Sequence, residues 1–220
     1  MITTYSLFEY LLELNQEAAK ELTKTYFNLG KKKTLLIFPE KRDKTLRISE
    51  HELRFVFTNL HGQFYHPHLN YAIEAPTSGI YSFSGKSKRS GSTDLSFYEG
   101  NSKVLNVELK ANNPTQAVIE KDIEKLVKED IYGAWCHIFE NEDRGTLKSI
   151  FKKQEKAFVK YGNPKKPLYF SFLIIKTKTL ITRKGIDGDE KNFHPNTIFS
   201  LKYDDYIKAY WQTFHRRLAN

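Results

Sequence analysis

Two hydrophobic periods take turns along this chain. From 5 to 29, Leu7, Phe8, Leu11, Leu12, Ala18, Ala19, Leu22 and Tyr26 recur at three- and four-residue spacing. That spacing predicts a helix with one apolar face, and Gly30 is suited to end it. Lys31, Lys32 and Lys33 follow, then a short apolar run over 34–38 predicted as a strand. A second helix is predicted to start at Ser49, with Glu52 three residues on to complete a capping box. Its buried stripe is Leu53, Val56, Phe57 and Leu60.

Between about 70 and 112 the period falls to two, the signature of strands with one face buried. Residues 71–77 and 80–83 read as strands around a turn at Ser78 and Gly79, and 84–93 as a loop rich in Gly, Ser and Lys. The segments 94–98 and 104–110 read as a hairpin joined by 99–103, where Gly100 can take the awkward dihedral. Helical spacing returns at 115–129 with Val118, Ile119, Ile123, Leu126 and Val127 on the apolar side. A strand follows over 133–139, a strongly basic helix over 144–161 and a continuous apolar strand over 168–175. The segment 183–197 reads as loop, and aromatic residues at helical spacing predict a closing helix over 203–218. This order predicts an α/β fold, a central mixed sheet flanked by helices. Residues 1–47 are expected to form an N-terminal helix and strand packing on a main unit at 48–220, the two making one compact body.

Alternation decides which side chains meet on the hairpin. Asp94, Ser96 and Tyr98 share one face of the first strand, and Asn106, Glu108 and Lys110 share one face of the second. Pairing symmetric about Asn101 sets Tyr98 opposite Val104, Ser96 opposite Asn106 and Asp94 opposite Glu108. Directly opposed Cβ atoms lie about 4.5–5.5 Å apart, where like charges repel unless a cation intervenes. Mg²⁺ suits such a place, because it takes one or two carboxylates and keeps waters elsewhere. The Leu109 backbone carbonyl can add an oxygen. Lys110, one pleat further on, can orient the attacking water and stabilise charge on a phosphorane.

Asp94, thirteen intervening residues and Glu108-Leu109-Lys110 resemble the D…ExK core of the PD-(D/E)xK nuclease superfamily. The resemblance spans about 48–130, with Thr93 standing where the family commonly has proline. It implies a restriction-endonuclease-like core and hydrolysis of phosphodiester bonds with Mg²⁺ or Mn²⁺. Asp94 and Glu108 then hold metal and Lys110 assists catalysis. An acidic residue on the preceding helix is frequent in this class. Glu50, three residues before Leu53 and so predicted to look toward the core, is preferred over Glu52, which has the cap to serve. Near the phosphate, the resemblance favours Lys121 and then Gln116 on the following helix. Lys86, Lys88 and Arg89 in the glycine-rich loop border the site and can contact phosphates.

The 220 residues carry 35 Lys and Arg against 26 Asp and Glu, a formal +9, which favours a polyanionic partner. The resemblance narrows this to DNA rather than RNA. A homodimer fits an enzyme that needs two sites to cut two strands. Hydrophobic residues make up 40% of the chain, enough for a core. One cysteine, Cys136, excludes an internal disulfide and a thiolate zinc site, and suggests a reducing, cytoplasmic setting. No basic and apolar leader and no membrane span are evident. His61, His66 and His68 lack regular ligand spacing. Cys136 and His137 point to opposite faces, so they form no catalytic pair. The alternative reading is a non-catalytic nucleic-acid-binding protein that retains the nuclease fold.

Overall fold

The computed structural model describes residues 4–27, 34, 36–64, 68–81, 89–141, 144–162, 164–183 and 212–215. Helices α1 (Thr4–Phe27) and α2 (Glu50–Phe64) precede strands β1 (Asn70–Tyr81), β2 (Arg89–Glu99) and β3 (Ser102–Ala111). Helix α3 (Gln116–Lys128) leads to β4 (Tyr132–Phe139), and α4 (Arg144–Tyr161) leads to β5 (Leu168–Ile174). Strands β6 (Thr179–Arg183) and β7 (Gln212–His215) complete one seven-stranded sheet in sequential order, β1 to β7. Pairing is antiparallel from β1 to β3, parallel from β3 to β5 and antiparallel again to β7. The two parallel steps each need a crossover, and α3 and α4 supply them.

The sheet separates two cores. Helices α1 and α2 pack Leu11, Leu22, Val56 and Phe57 with Leu95, Phe97, Leu105, Val107 and Leu109 of the hairpin. On the opposite face, Ile119, Ile123 and Leu126 of α3 and Ile150 and Phe158 of α4 pack with Trp135, Phe170 and Phe172. Cys136 belongs to the first core, while His137 stacks on Phe139, so the two do point apart. Gly133 lets α3 approach closely: a Cβ there would meet Leu168 Cδ2 at 2.5 Å and Leu126 Cδ2 at 3.0 Å. The mixed sheet flanked by helices agrees with the sequence, and no helix of the described residues is long and apolar enough to cross a membrane.

Several elements differ from the pattern. The described residues of the apolar run, 34 and 36–38, carry no strand; an isolated bridge, Glu40 to Leu46, follows them. Ser78 and Gly79 do not divide two strands. They form an irregularity inside β1, between Pro76 and Ile80, where Glu129 accepts their N–H groups at 3.1 and 2.9 Å. An acceptor fifty residues away replaces the turn. Strand β2 starts at Arg89, not Asp94, because 89–93 pairs with β1. Val118 is 40% exposed and lies off the α3 stripe. Residues 212–215, expected to be helical, form β7 against β6, since an open sheet edge supplies hydrogen bonds that local spacing does not register. Gly30, His66, Lys86, Lys88, all of 184–211 and, from the expected closing helix, 216–218 lie outside the described residues.

Candidate active site

The hairpin turns through Gly100 (φ 60°) and Asn101, with Glu99 paired to Ser102. Tyr98 faces Lys103, not Val104, because one extra residue is accommodated on β3 between the Tyr98–Lys103 and Phe97–Leu105 pairs. Beyond that bulge the register returns to symmetry about Asn101: Phe97 with Leu105, Ser96 with Asn106, Leu95 with Val107. Continuing it aligns Asp94 with Glu108. Ladder pairing ends at Leu95–Val107, so the Leu109 peptide faces a side that β2 has left. Asp94 Oδ2 accepts the Leu109 N–H at 2.7 Å, and the Leu109 carbonyl accepts Lys110 Nζ at 2.8 Å. Beside them, Ser96 donates to Asn106 Oδ1 at 2.6 Å and shares a hydrogen bond with Thr93.

Four carboxylates surround the Lys110 ammonium. Nζ lies 3.1 Å from Asp122, 3.4 Å from Asp94, 3.8 Å from Glu108 and 4.0 Å from Glu50. A second ammonium, Lys125, lies 2.5 Å from Glu108 and 2.8 Å from Asp122, and donates to the Ser92 carbonyl at 2.8 Å. Access is graded. The Glu50 side chain is 43% exposed and Asp94 20%, whereas Glu108, Asp122 and Lys125 are between 1 and 4%. Glu50 therefore stands at the rim, facing Lys110, rather than turned into the core. Glu52 is buried and receives the Ser49 backbone N–H, as its capping role requires.

These positions set the proton equilibria. Burial, then repulsion from Asp122 and Asp94, raises the Glu108 pKa well above the usual range against the pull of Lys125 and Lys110. Burial opposes the Lys110 charge, yet Asp122, Glu108, Asp94 and Glu50 outweigh it and push its pKa up. Asp122 is likewise buried, but Lys110 and Lys125 hold its carboxyl below the usual value. Four carboxylates against two ammoniums leave a formal charge of −2. The cluster must take up protons or a further cation to be neutral.

The donor set is all oxygen, which suits Mg²⁺ or Mn²⁺. Glu108 Oε1 and Asp122 Oδ2 are buried without a well-aligned hydrogen bond and rest on charge contacts. Asp94 Oδ2, Glu108 Oε2 and the Leu109 carbonyl lie 3.4, 3.8 and 2.8 Å from the Lys110 ammonium. Among the described residues, no three of His, Cys, Asp and Glu are arranged to ligate one metal ion. The donor chemistry alone is compatible with a divalent ion; a ligating arrangement would require Lys110 to release the Leu109 carbonyl and the carboxylates to draw in.

The sequence pattern placed Asp94, Glu108, Lys110 and Glu50 together, and the structure gathers them. It adds Asp122 and Lys125, not singled out as site residues. A signal for them existed: Asp122 falls on the Ile119, Ile123, Leu126 stripe, with Lys125 one turn on. A charged pair within an apolar stripe has to be matched by charges on the sheet face it packs against. Lys121, by contrast, is exposed, and Gln116 donates to the Lys153 carbonyl and Glu120 on the α4 side. Neither touches the carboxylate cluster through these contacts; Lys125 is the α3 lysine that does. Arg89 lies in β2, five residues before Asp94.

The histidines have other work. His61 is buried against Tyr10 and the Leu69 carbonyl, and His68 is exposed. His137 pairs in register with Lys110, donates to the Asn112 carbonyl at 2.8 Å and is pushed down to about pKa 3 by burial. No protein-family model matches this chain, and no curated protein or solved structure matches it significantly.

Proposed function

We propose that the protein is a metal-dependent nuclease that hydrolyses phosphodiester bonds, with DNA as substrate. One observation carries the reading: Asp94, Glu108 and the Leu109 carbonyl all face the Lys110 ammonium, in a cluster of four carboxylates and two ammoniums. The buried members, Glu108, Asp122, Lys110 and Lys125, balance to zero, so the excess negative charge sits on Asp94 and Glu50 toward solvent, where a cation would be taken up. Asp94 and Glu108 would hold Mg²⁺ or Mn²⁺ with the Leu109 carbonyl, and Glu50 at the rim can add an oxygen or a water-mediated contact. Bound there, the ion supplies Lewis-acid polarisation of a phosphate and a water of lowered pKa. Lys110 remains charged, so its role is to orient the attacking water and stabilise negative charge on the phosphorane. Asp122 holds the Lys110 ammonium from the helix side, and Lys125 fixes the Glu108 carboxylate.

The test is incubation of the purified chain with plasmid, linear and single-stranded DNA in Mg²⁺ or Mn²⁺, beside Lys110→Ala. Cleavage lost in the variant, with DNA affinity kept, supports the assignment. Undiminished cleavage by Lys110→Ala sinks it.

A second reading, a nucleic-acid-binding protein without turnover, draws on the closed ion network. Both Glu108 oxygens already contact ammoniums, at 2.5 and 3.8 Å. It predicts no rise in melting temperature with divalent ions, whereas a working site is stabilised by the ion it binds.

A further inference from the structure

Helices α3 and α4 enclose a groove of about 540 Å³ lined by Gln116, Lys148, Ser149, Lys152, Lys153 and Lys156. Four of the six lining residues are lysines and none is acidic. Lys148, Lys152 and Lys156 are exposed and repeat every four residues. With a rise of 1.5 Å per residue, their stems are spaced about 6 Å apart along one face of α4. Lys153 is spent differently: its ammonium donates to Asn113 Oδ1 and the Pro114 carbonyl at 2.6 and 2.7 Å, fastening α4 to the connection after β3. Glu120 borders the groove through Gln116, but it is already paired with Lys160 at 2.6 Å.

We infer that this groove is a binding track for the phosphodiester backbone of the nucleic-acid substrate, with Lys148, Lys152 and Lys156 as the phosphate contacts. The inference deepens the nuclease reading and rests on it for the partner's identity. Placement supports it: the 113–116 connection on the groove wall directly follows the strand that carries Glu108 and Lys110. Groove and site share one face of the sheet, since α3 borders both. A membrane surface is the other polyanion a basic helix can meet, but that needs exposed apolar residues beside the lysines. Here Leu147, Ile150, Phe151, Ala157 and Phe158 are all buried, and Val159 alone is exposed among the large hydrophobics of α4. A concave wall lined by lysines, with no hydrophobic residue among its lining side chains, suits a sugar–phosphate backbone, which is read by charge.

The experiment measures binding of a fluorescein-labelled DNA duplex by anisotropy in EDTA, between about 50 and 200 mM salt. Three proteins are compared: wild type, Lys148→Ala/Lys152→Ala/Lys156→Ala, and the charge-matched Lys20→Ala/Lys24→Ala/Lys41→Ala. Each phosphate contact adds about 0.9 to the slope of log affinity on log salt, so the groove variant loses about 2 to 3 units of slope. The charge-matched variant keeps the wild-type slope, and arginine at the three groove positions restores it. Equal slopes for wild type and groove variant overturn the inference, as does equal loss in both triple variants, which would reflect net charge. Co-sedimentation with phosphatidylserine vesicles, lost in the groove variant while DNA binding is kept, overturns it too. Because binding is read without metal, the nuclease reading fails separately, by absence of cleavage in a wild type that binds DNA through the groove.

Discussion

Replacing Lys125 by Met tests the electrostatics of the site where they are most exposed to error. The substitution keeps most of the unbranched apolar stem but removes the ammonium 2.5 Å from Glu108 and 2.8 Å from Asp122. At an effective dielectric of about 20, each such contact is worth about 6 kcal/mol of bare Coulomb attraction. Desolvation of the ions consumes much of that. The net cost of breaking a buried pair from one side is about 3–5 kcal/mol, chiefly the stranded charge left behind. Glu108, already pushed toward its neutral form by burial and by Asp122, relieves part of the strain by taking a proton. The expected loss in urea unfolding near pH 7 in EDTA is therefore about 3 kcal/mol, near the lower bound. For a chain of this size that lowers the melting temperature by roughly 6–12 °C. Adding Glu108→Gln removes the stranded charge, so the double variant should recover a sizeable part of the loss. A Lys125→Met cost below about 1 kcal/mol, or strictly additive single and double variants, would refute the picture of Glu108 as a buried carboxylate held by Lys125.

Other expectations follow from the same contacts. Lys110→Met frees the Leu109 carbonyl and vacates the cation position, so Mn²⁺ affinity by calorimetry should rise by tenfold or more while DNA cleavage is lost; unchanged affinity means that ammonium and metal do not share a place. Cys136, fully buried with its thiol pushed up to about 11, should resist a thiol reagent in the native state and react on unfolding; fast native labelling contradicts its burial. His137 is held neutral by burial, so its folded pKa lies below its unfolded value of about 6.5. Its contribution is present above that value and drains away as pH falls toward about 3, over a range worth roughly 3–5 kcal/mol. Against His137→Gln, the wild type should hold a stability advantage near pH 7 that shrinks by pH 4; a pH-independent gap in urea unfolding would refute this.

Much of the candidate site was legible in the chain because the relevant information was local. Strand alternation alone assigns Asp94, Glu108 and Lys110 to one face and Leu95, Val107 and Leu109 to the other. The Ser96–Asn106 pairing agrees with symmetry about Asn101 while Tyr98 does not, because the bulge before Phe97–Leu105 restores that register on the Asp94 side. Helix α2 with its Glu52 cap, and α4 at Arg144–Tyr161, were likewise readable from apolar spacing and capping chemistry.

What tertiary structure decided was every feature whose partner lies far away in the chain. Glu129 turns an expected break at Ser78 and Gly79 into an irregularity in a continuous strand. The open edge of β6 draws 212–215 into the sheet against its helical spacing. Lys125 rather than Lys121 serves Glu108, because the choice depends on how α3 is rotated against β3 and β4, which Gly133 and the packing of Leu126 on Leu168 determine. Periodicity reports which residues share a face. The charge balance at that face depends on what folds against it, and here that is α3, whose Asp122 and Lys125 meet Lys110 and Glu108 on that same face.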